Sequence, residues 1–137
     1  MVVLDACVLI ALADPTHTHH EQALDVAATA HPLAVTTLTL GEYLVKPAQL
    51  GRDVNVEEKR LLAGLRLSVL TDSQLGRTSS WPAGLAHVRA KTGLKMPDAV
   101  VLAAALAING QVTTFDKSLA IAATTYGVLY PNSTPVS

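Results

Sequence analysis

Met1-Val-Val-Leu-Asp5-Ala-Cys-Val-Leu-Ile-Ala-Leu12 decides how the rest of the chain is read. Met1 to Leu4 is a short, wholly apolar run, the composition of a strand covered on both faces, and such a strand belongs in the middle of a sheet. Asp5 interrupts the run. Cys7 to Leu12 is again apolar and reads as a buried helical stretch that stops at Asp14-Pro15, because the residue before a proline is pushed out of the helical region. A carboxylate therefore stands where a central strand ends and a helix begins, a position in which aspartate commonly caps the helix.

The same alternation continues along the chain. Asp14 to Glu21 is a turn that leads into a helix from about His19 to Ala30, and its three histidines at 17, 19 and 20 are explained by a polar helix entrance, with His17 or His20 within reach of a substrate at the sheet edge. Pro32 to Thr36 reads as a second strand, and Thr37 as the cap of a helix from Leu38 to about Val45 that Lys46-Pro47 ends. Glu42 shares a face with Leu38 and Val45, an unusual place for a charge. Val56 to Leu65 is an amphipathic helix, Leu67 to Leu70 a third strand, and Leu85 to Lys91 a further helix beyond a poorly legible polar segment that contains Trp81. Pro97 suits the first helical position, and Ala99 to Ile108 is apolar on every side, so that helix lies buried against the sheet with Asp98 in its first turn. Gln111 to Thr114 forms a fourth strand, Asp116 repeats the strand-to-helix position of Asp5, and Gly127 to Tyr130 forms a fifth strand before a fraying tail, 131–137.

Strands separated by helices cannot be hairpins; they pair in parallel through crossovers, with helices on both faces. The expected fold class is α/β, a three-layer α/β/α sandwich around a central parallel sheet of about five strands, in a single domain spanning 1–137. Half the residues are hydrophobic, which excludes disorder, while no apolar run approaches a bilayer span and no leader pattern opens the chain, so a cytoplasmic protein with no membrane partner is expected. One cysteine, Cys7, excludes an internal disulfide and a cysteine-based zinc site, and reads as a small buried hydrophobe. A formal charge of −1 excludes a protein that coats nucleic acid by bulk charge.

In an open parallel sheet, ligands gather beyond the carboxyl ends of the strands. Asp5 and Asp116 lie at strand ends, and Glu42 and Asp98 on helices that begin just after a strand or loop. Each has a structural explanation alone, as a cap, a dipole partner or a solvated residue. Gathered on one rim they repel one another, which favours a bound cation as the reason for the arrangement. Carboxylate oxygens suit a hard ion, Mg2+ with Mn2+ as a substitute, and the chemistry such an ion implies is phosphodiester hydrolysis.

Val3-Leu-Asp5-Ala-Cys-Val-Leu-Ile-Ala-Leu12, Leu40-Gly-Glu42, Pro97-Asp98-Ala-Val-Val-Leu-Ala-Ala and Thr113-Thr-Phe-Asp116 resemble, in order and spacing, the four acidic motifs of PIN-domain ribonucleases. The chain most resembles the small VapC-type toxins of toxin–antitoxin pairs, over essentially its full length. The resemblance implies a magnesium- or manganese-dependent endoribonuclease that inhibits translation and growth, with Asp5, Glu42, Asp98 and Asp116 as metal ligands and catalytic residues and Thr114 as a supporting hydroxyl. It also implies an RNA substrate, a VapB-type antitoxin partner and a homodimer, with Lys95 and Lys117 as the basic residues best placed for RNA. Residues 80–95 match none of the family's motifs. The alternative is a catalytically silent PIN-like module that binds RNA or protein.

Other readings fit less well. A signalling receiver domain built on Asp72 would need a second acid beside Asp5 and a lysine after the fifth strand, where Ala6 and Tyr130-Pro131 stand. A haloacid-type phosphatase would need an acid at Cys7, nucleotide-binding glycine loops are absent, and a structure-specific DNA nuclease would need a helical arch for which the chain is too short.

Overall fold

The opening strand is the interior of the sheet. In a computed structural model that describes residues 1–131, β1 (Val2–Leu4) is buried at every residue. It is followed by α1 (Ala6–Ala13), α2 (His20–Ala27), β2 (Leu33–Thr36), α3 (Thr37–Gln49), α4 (Val54–Leu65), β3 (Ser68–Leu70), α5 (Asp72–Leu75), α6 (Trp81–Thr92), α7 (Met96–Ala107), β4 (Gln111–Thr113) and α8 (Lys117–Thr125). The strands lie in the order β3-β2-β1-β4, all parallel, with Val3 opposite both Ala34 and Val112 and Leu4 opposite Thr113.

Alternation along the strands divides the core into two layers of packing. Val3, Ala34 and Val112 face α7 and α8 through Val101, Leu102, Leu119 and Ala123. Val2, Leu4, Leu33 and Val35 face the opposite layer, where Val8, Leu9, Ala23, Val26 and Leu40 come from α1, α2 and α3. The sandwich and its parallel sheet are as the alternation predicts. Seven residues of α7, Ala99 to Ala105, are buried, in keeping with a helix that is apolar all round.

Three local expectations are corrected. The sheet has four strands among the described residues, not about five: the expected fifth strand, Gly127 to Tyr130, is reduced to a parallel bridge of Leu129 with Val112, although Tyr130 still donates its N–H to the Val112 carbonyl at 2.8 Å. The tail expected to fray lies, from residue 132 onward, outside the described residues.

The second correction concerns α3. Thr36, not Thr37, is its cap, accepting from the Thr39 amide, and the helix passes through Lys46-Pro47 to Gln49. A proline this close to the end removes a single helical bond, to the Tyr43 carbonyl, while its ring is buried. The third concerns Glu42, whose supposed apolar face is not core: Leu38 and Val45 are 42% and 51% exposed. The buried side of α3 carries Thr39 and Leu40 instead.

Gly110 illustrates how closely β4 enters beside β1. A Cβ there would stand 2.7 Å from the Met1 carbonyl oxygen, the same oxygen that accepts the Gln111 amide.

Candidate active site

At the carboxyl edge of the sheet, Asp5 is pinned by short local bonds and by one from far along the chain. Its Oδ1 accepts the Ala6 amide at 2.8 Å, which makes it the cap of α1. Its Oδ2 accepts the Thr114 hydroxyl at 2.7 Å and the Cys7 thiol at 3.2 Å. Capping and a role in a site are thus compatible, because each uses a different oxygen. Asp5 is nonetheless only 7% exposed, a buried carboxylate with no basic partner among the described residues.

Asp116 repeats this arrangement after β4. It caps α8 by accepting the Leu119 amide through Oδ2 at 2.9 Å, and its own amide donates to Thr114 Oγ1 at 3.0 Å. Thr114 therefore joins the two aspartates, donating to one and accepting from the backbone of the other. The β-branched side chain of Thr114 is fully buried, so its hydroxyl is held rather than free to rotate into solvent.

Glu42 and Asp98 reach the same rim differently. Asp98 sits in the first turn of α7 after Lys95 and Pro97. Burial pushes its carboxyl up to about 6, the charges of Asp5 and Asp116 push the same way, and Lys95 opposes them. Glu42 is also raised, first by burial and then by Asp5 and Asp98. It lies in the second turn of α3, and helical side chains lean toward the N-terminus, so its carboxylate tips back toward the strand end that Thr36 closes. Asp5 and Asp116 are fixed by hydrogen bonds, while Asp98 and Glu42 are raised by burial and then by the charges of neighbouring acids.

They do not form a closed cage. Among the described residues no group of three or more His, Cys, Asp and Glu side chains is close enough to enclose an ion. Lys95 precedes α7 with no side-chain cap bond and is exposed, as is Lys117 in the first turn of α8. Lys95 acts on the acids through Asp98, whose carboxyl it lowers.

Two residues at this edge have a larger part than their sequence context indicates. Cys7 is partly exposed rather than merely packed: it donates to Asp5, accepts the Phe115 amide at 3.3 Å and lies 3.6 Å from Thr114 Oγ1. Burial first, and the Asp5 charge second, push its thiol up to about 12, so it remains an S–H donor at neutral pH and is a poor nucleophile. His19 stacks on Phe115, with ring centroids 4.6 Å apart and planes 16° from parallel. Neither contact has a local signal, since Cys7 and Phe115 are 108 positions apart. His20, by contrast, is taken up by the Ala11 carbonyl at 2.7 Å.

A second concavity lies away from the acids. It has a volume of about 540 Å³ and is lined by Ile10, Tyr43, Pro47 and Leu50, with Lys46 and Arg52 at its margin. Arg52, exposed, approaches the half-buried Glu57 at 3.9 Å. Among the described residues no helix is long and apolar enough to cross a membrane.

Comparison with known proteins agrees with this architecture. The family model of the PIN domain matches residues 2–124. No curated protein sequence matches the chain. Among solved structures, the chain is similar to Mycobacterium tuberculosis VapC20, described as a sarcin–ricin loop cleaving toxin, with a TM-score of 0.69 and 14% identity over 94% of this chain and 97% of that one. A toxin–antitoxin complex from Klebsiella pneumoniae gives a TM-score of 0.65 and 24% identity over 88% and 91% of the two chains. VapBC2 from Rickettsia felis, bound to a DNA fragment from its promoter, gives 0.61 and 13% over 99% and 98%.

Proposed function

The chain belongs to the PIN domain family, and from that premise we propose that it is a single-domain, cytoplasmic endoribonuclease dependent on a divalent ion, the toxin of a VapBC-type toxin–antitoxin pair. Its action on RNA would inhibit translation and growth. The observation that carries the reading is that Asp98 and Glu42 are raised by burial and then by neighbouring acids, Asp98 by Asp5 and Asp116 and Glu42 by Asp5 and Asp98, at the end of the central strand. A fold that holds two carboxyls against burial and like charge gives up stability that a cation would restore.

The donor set fits magnesium or manganese. All four side chains offer hard oxygen, the donor type of an ion that retains several waters and takes few direct protein ligands. Asp5, Asp98, Glu42 and Asp116 would hold it. When bound, such an ion polarises the phosphoryl oxygen and lowers the pKa of an attacking water. Thr114 and Cys7 orient the Asp5 carboxylate by donating to the same oxygen. Asp98, with a pKa of about 6, is mainly ionised at neutral pH and is able to accept a proton as the pH falls. Lys95 and Lys117 supply charge for flanking phosphates.

Incubating the purified protein with total cellular RNA, with and without magnesium or manganese, and mapping new ends tests the reading. Discrete ends that form only with the ion support it. A folded protein that cuts no RNA under either condition points to the alternative, a silent PIN-like module that binds RNA or protein.

The expected partner is a VapB-type antitoxin. Leu50 is 55% exposed and Ile10 45% exposed beside the 540 Å³ concavity, an apolar strip suited to an amphipathic helix, with Lys46 and Arg52 to receive acidic residues. A homodimer is expected as well, and light scattering at several concentrations tests it.

A further inference from the structure

We propose that His19, seated on Phe115, is a base-stacking platform that holds an unpaired nucleotide of the substrate beside the acidic rim. The nature of the ligand rests on the nuclease reading above; the platform itself rests on the geometry of residues 14–22.

The α1–α2 connection is fixed without the stack. Asp14 Oδ1 accepts from the amide and hydroxyl of Thr16, the Asp14 carbonyl accepts the His17 amide, and the His17 carbonyl accepts the His20 amide. The ring of His20 is anchored on Ala11, and α2 itself is held by buried Ala23 and Val26. His19 is therefore not required as a tether, and yet its ring is aligned twice. It lies nearly parallel to Phe115, and its Nδ1 stands 2.7 Å from Gln22 Oε1. A carbonyl oxygen only accepts, so Nδ1 carries a proton and, in the neutral ring, Nε2 is left as an acceptor without a partner among the described residues. The His17 ring lies 5.7 Å from that of His19 and is tilted by 41° to it, so the two are not stacked, and His17 Nδ1 accepts the His19 amide at 3.0 Å.

The position of the His19–Phe115 stack gives it meaning. Phe115 lies between Thr114, which is bonded to Asp5, and Asp116, and its amide is bonded to Cys7, so its backbone belongs to the rim of acids. Phe115 is 9% exposed and packs into the core, whereas His19 is only half-buried. Stacking on an aromatic ring or an imidazole is how proteins capture unpaired bases, and it tolerates sequence because every base has a π-face. With the phosphate at the acids and the neighbouring base on His19, one nucleotide would bridge the two features. A chain with little net charge gains affinity in this way without a large basic surface.

The test is binding of a fluorescein-labelled single-stranded RNA of about eight nucleotides, read by anisotropy with magnesium in an Asp98→Asn background that prevents cutting. His19→Ala is expected to weaken binding about tenfold, within the range for losing one stacked base. His19→Phe, which keeps a flat ring, is expected to remain within about twofold of the parent. The same RNA with abasic sites is expected to bind the parent and the His19→Ala protein equally, an equality that a structural role or a phosphate contact would not produce. Unchanged affinity in His19→Ala, or a loss that persists with abasic RNA, overturns the platform. Cleavage by the otherwise wild-type protein is followed alongside: cutting with no effect of His19 on binding removes the platform alone, while His19-dependent binding without any cutting removes the nuclease reading alone.

Discussion

The two halves of the acidic rim are built on opposite terms. Asp5 and Asp116 each cap a helix and are joined through Thr114, so their carboxylates are oriented by bonds the fold needs in any case. Asp98 and Glu42 make no side-chain hydrogen bond among the described residues, and burial together with the neighbouring acids raises both. The first pair is oriented by hydrogen bonds; the second pair is held against burial and like charge. A charge that a fold holds at its own expense is the better indicator of function, whereas a capping carboxylate is accounted for by the helix alone.

The largest test of this contrast is Asp98→Asn, which removes charge at nearly constant volume. Cleavage of a mapped RNA site is expected to fall by about a hundredfold or more, since changing even an outer partner of a metal ligand commonly costs about 10–100-fold. The melting temperature is expected to stay level or rise, and the rise on adding magnesium to be smaller than in the wild type. Retained cleavage would remove Asp98 from the working half, and equal magnesium shifts would show that these acids do not hold the ion.

Asp5→Ala should behave otherwise. It removes a cap and leaves the Thr114 hydroxyl and the Cys7 thiol without their acceptor, a loss of about 1–2 kcal/mol. For a domain of this size that is a fall of several degrees in melting temperature, accompanied by loss of cleavage. If Asp5→Ala melts no lower than Asp98→Asn, the distinction between the two halves fails.

Acidity sharpens the contrast by a smaller effect. The folded-state pKa of Asp98, about 6, lies above its ordinary value of 3.8, so the folded protein binds this proton more tightly than the unfolded chain. In the presence of a chelator, the contribution of Asp98 to stability should therefore rise as pH falls from 7 through 6 toward 4. The readout is the difference in melting temperature between wild type and Asp98→Asn across that range. A difference that does not change with pH would contradict the raised carboxyl.

The smallest effect separates two adjacent threonines. Thr113 Oγ1 is buried with no hydrogen-bond partner among the described residues, while Thr114 joins Asp5 to Asp116. Thr113→Val is expected to be neutral or to stabilise by about 1 kcal/mol, and Thr114→Val to destabilise by a similar amount, about 1 kcal/mol, both measured by urea unfolding. The same sign for both would mean that the hydroxyl at 114 is not a structural link.

Much of the scaffold was legible locally. The apolar run of β1, the stop at Asp14-Pro15 and the all-apolar α7 are properties of neighbouring residues, and they became the elements expected of them. Local rules failed where packing compensated. Pro47 did not end α3, because one lost helical bond is offset by burying the ring. Glu42 was placed on an apolar face by its spacing, but that face turned out to be exposed, since periodicity shows which residues lie together and not which side meets the core.

By itself, the amino-acid sequence determined the alternation of strands and helices and set Asp5 and Asp116 at strand-to-helix junctions, because capping, proline geometry and hydrophobic period act over a few residues. Only the tertiary structure decided that Thr114 would reach across 109 positions to Asp5, that Asp98 would feel both strand-end acids, and that His19 would lie on Phe115. Those contacts follow from the order β3-β2-β1-β4, which brings distant segments to one edge of the sheet through packing that no short stretch of chain encodes.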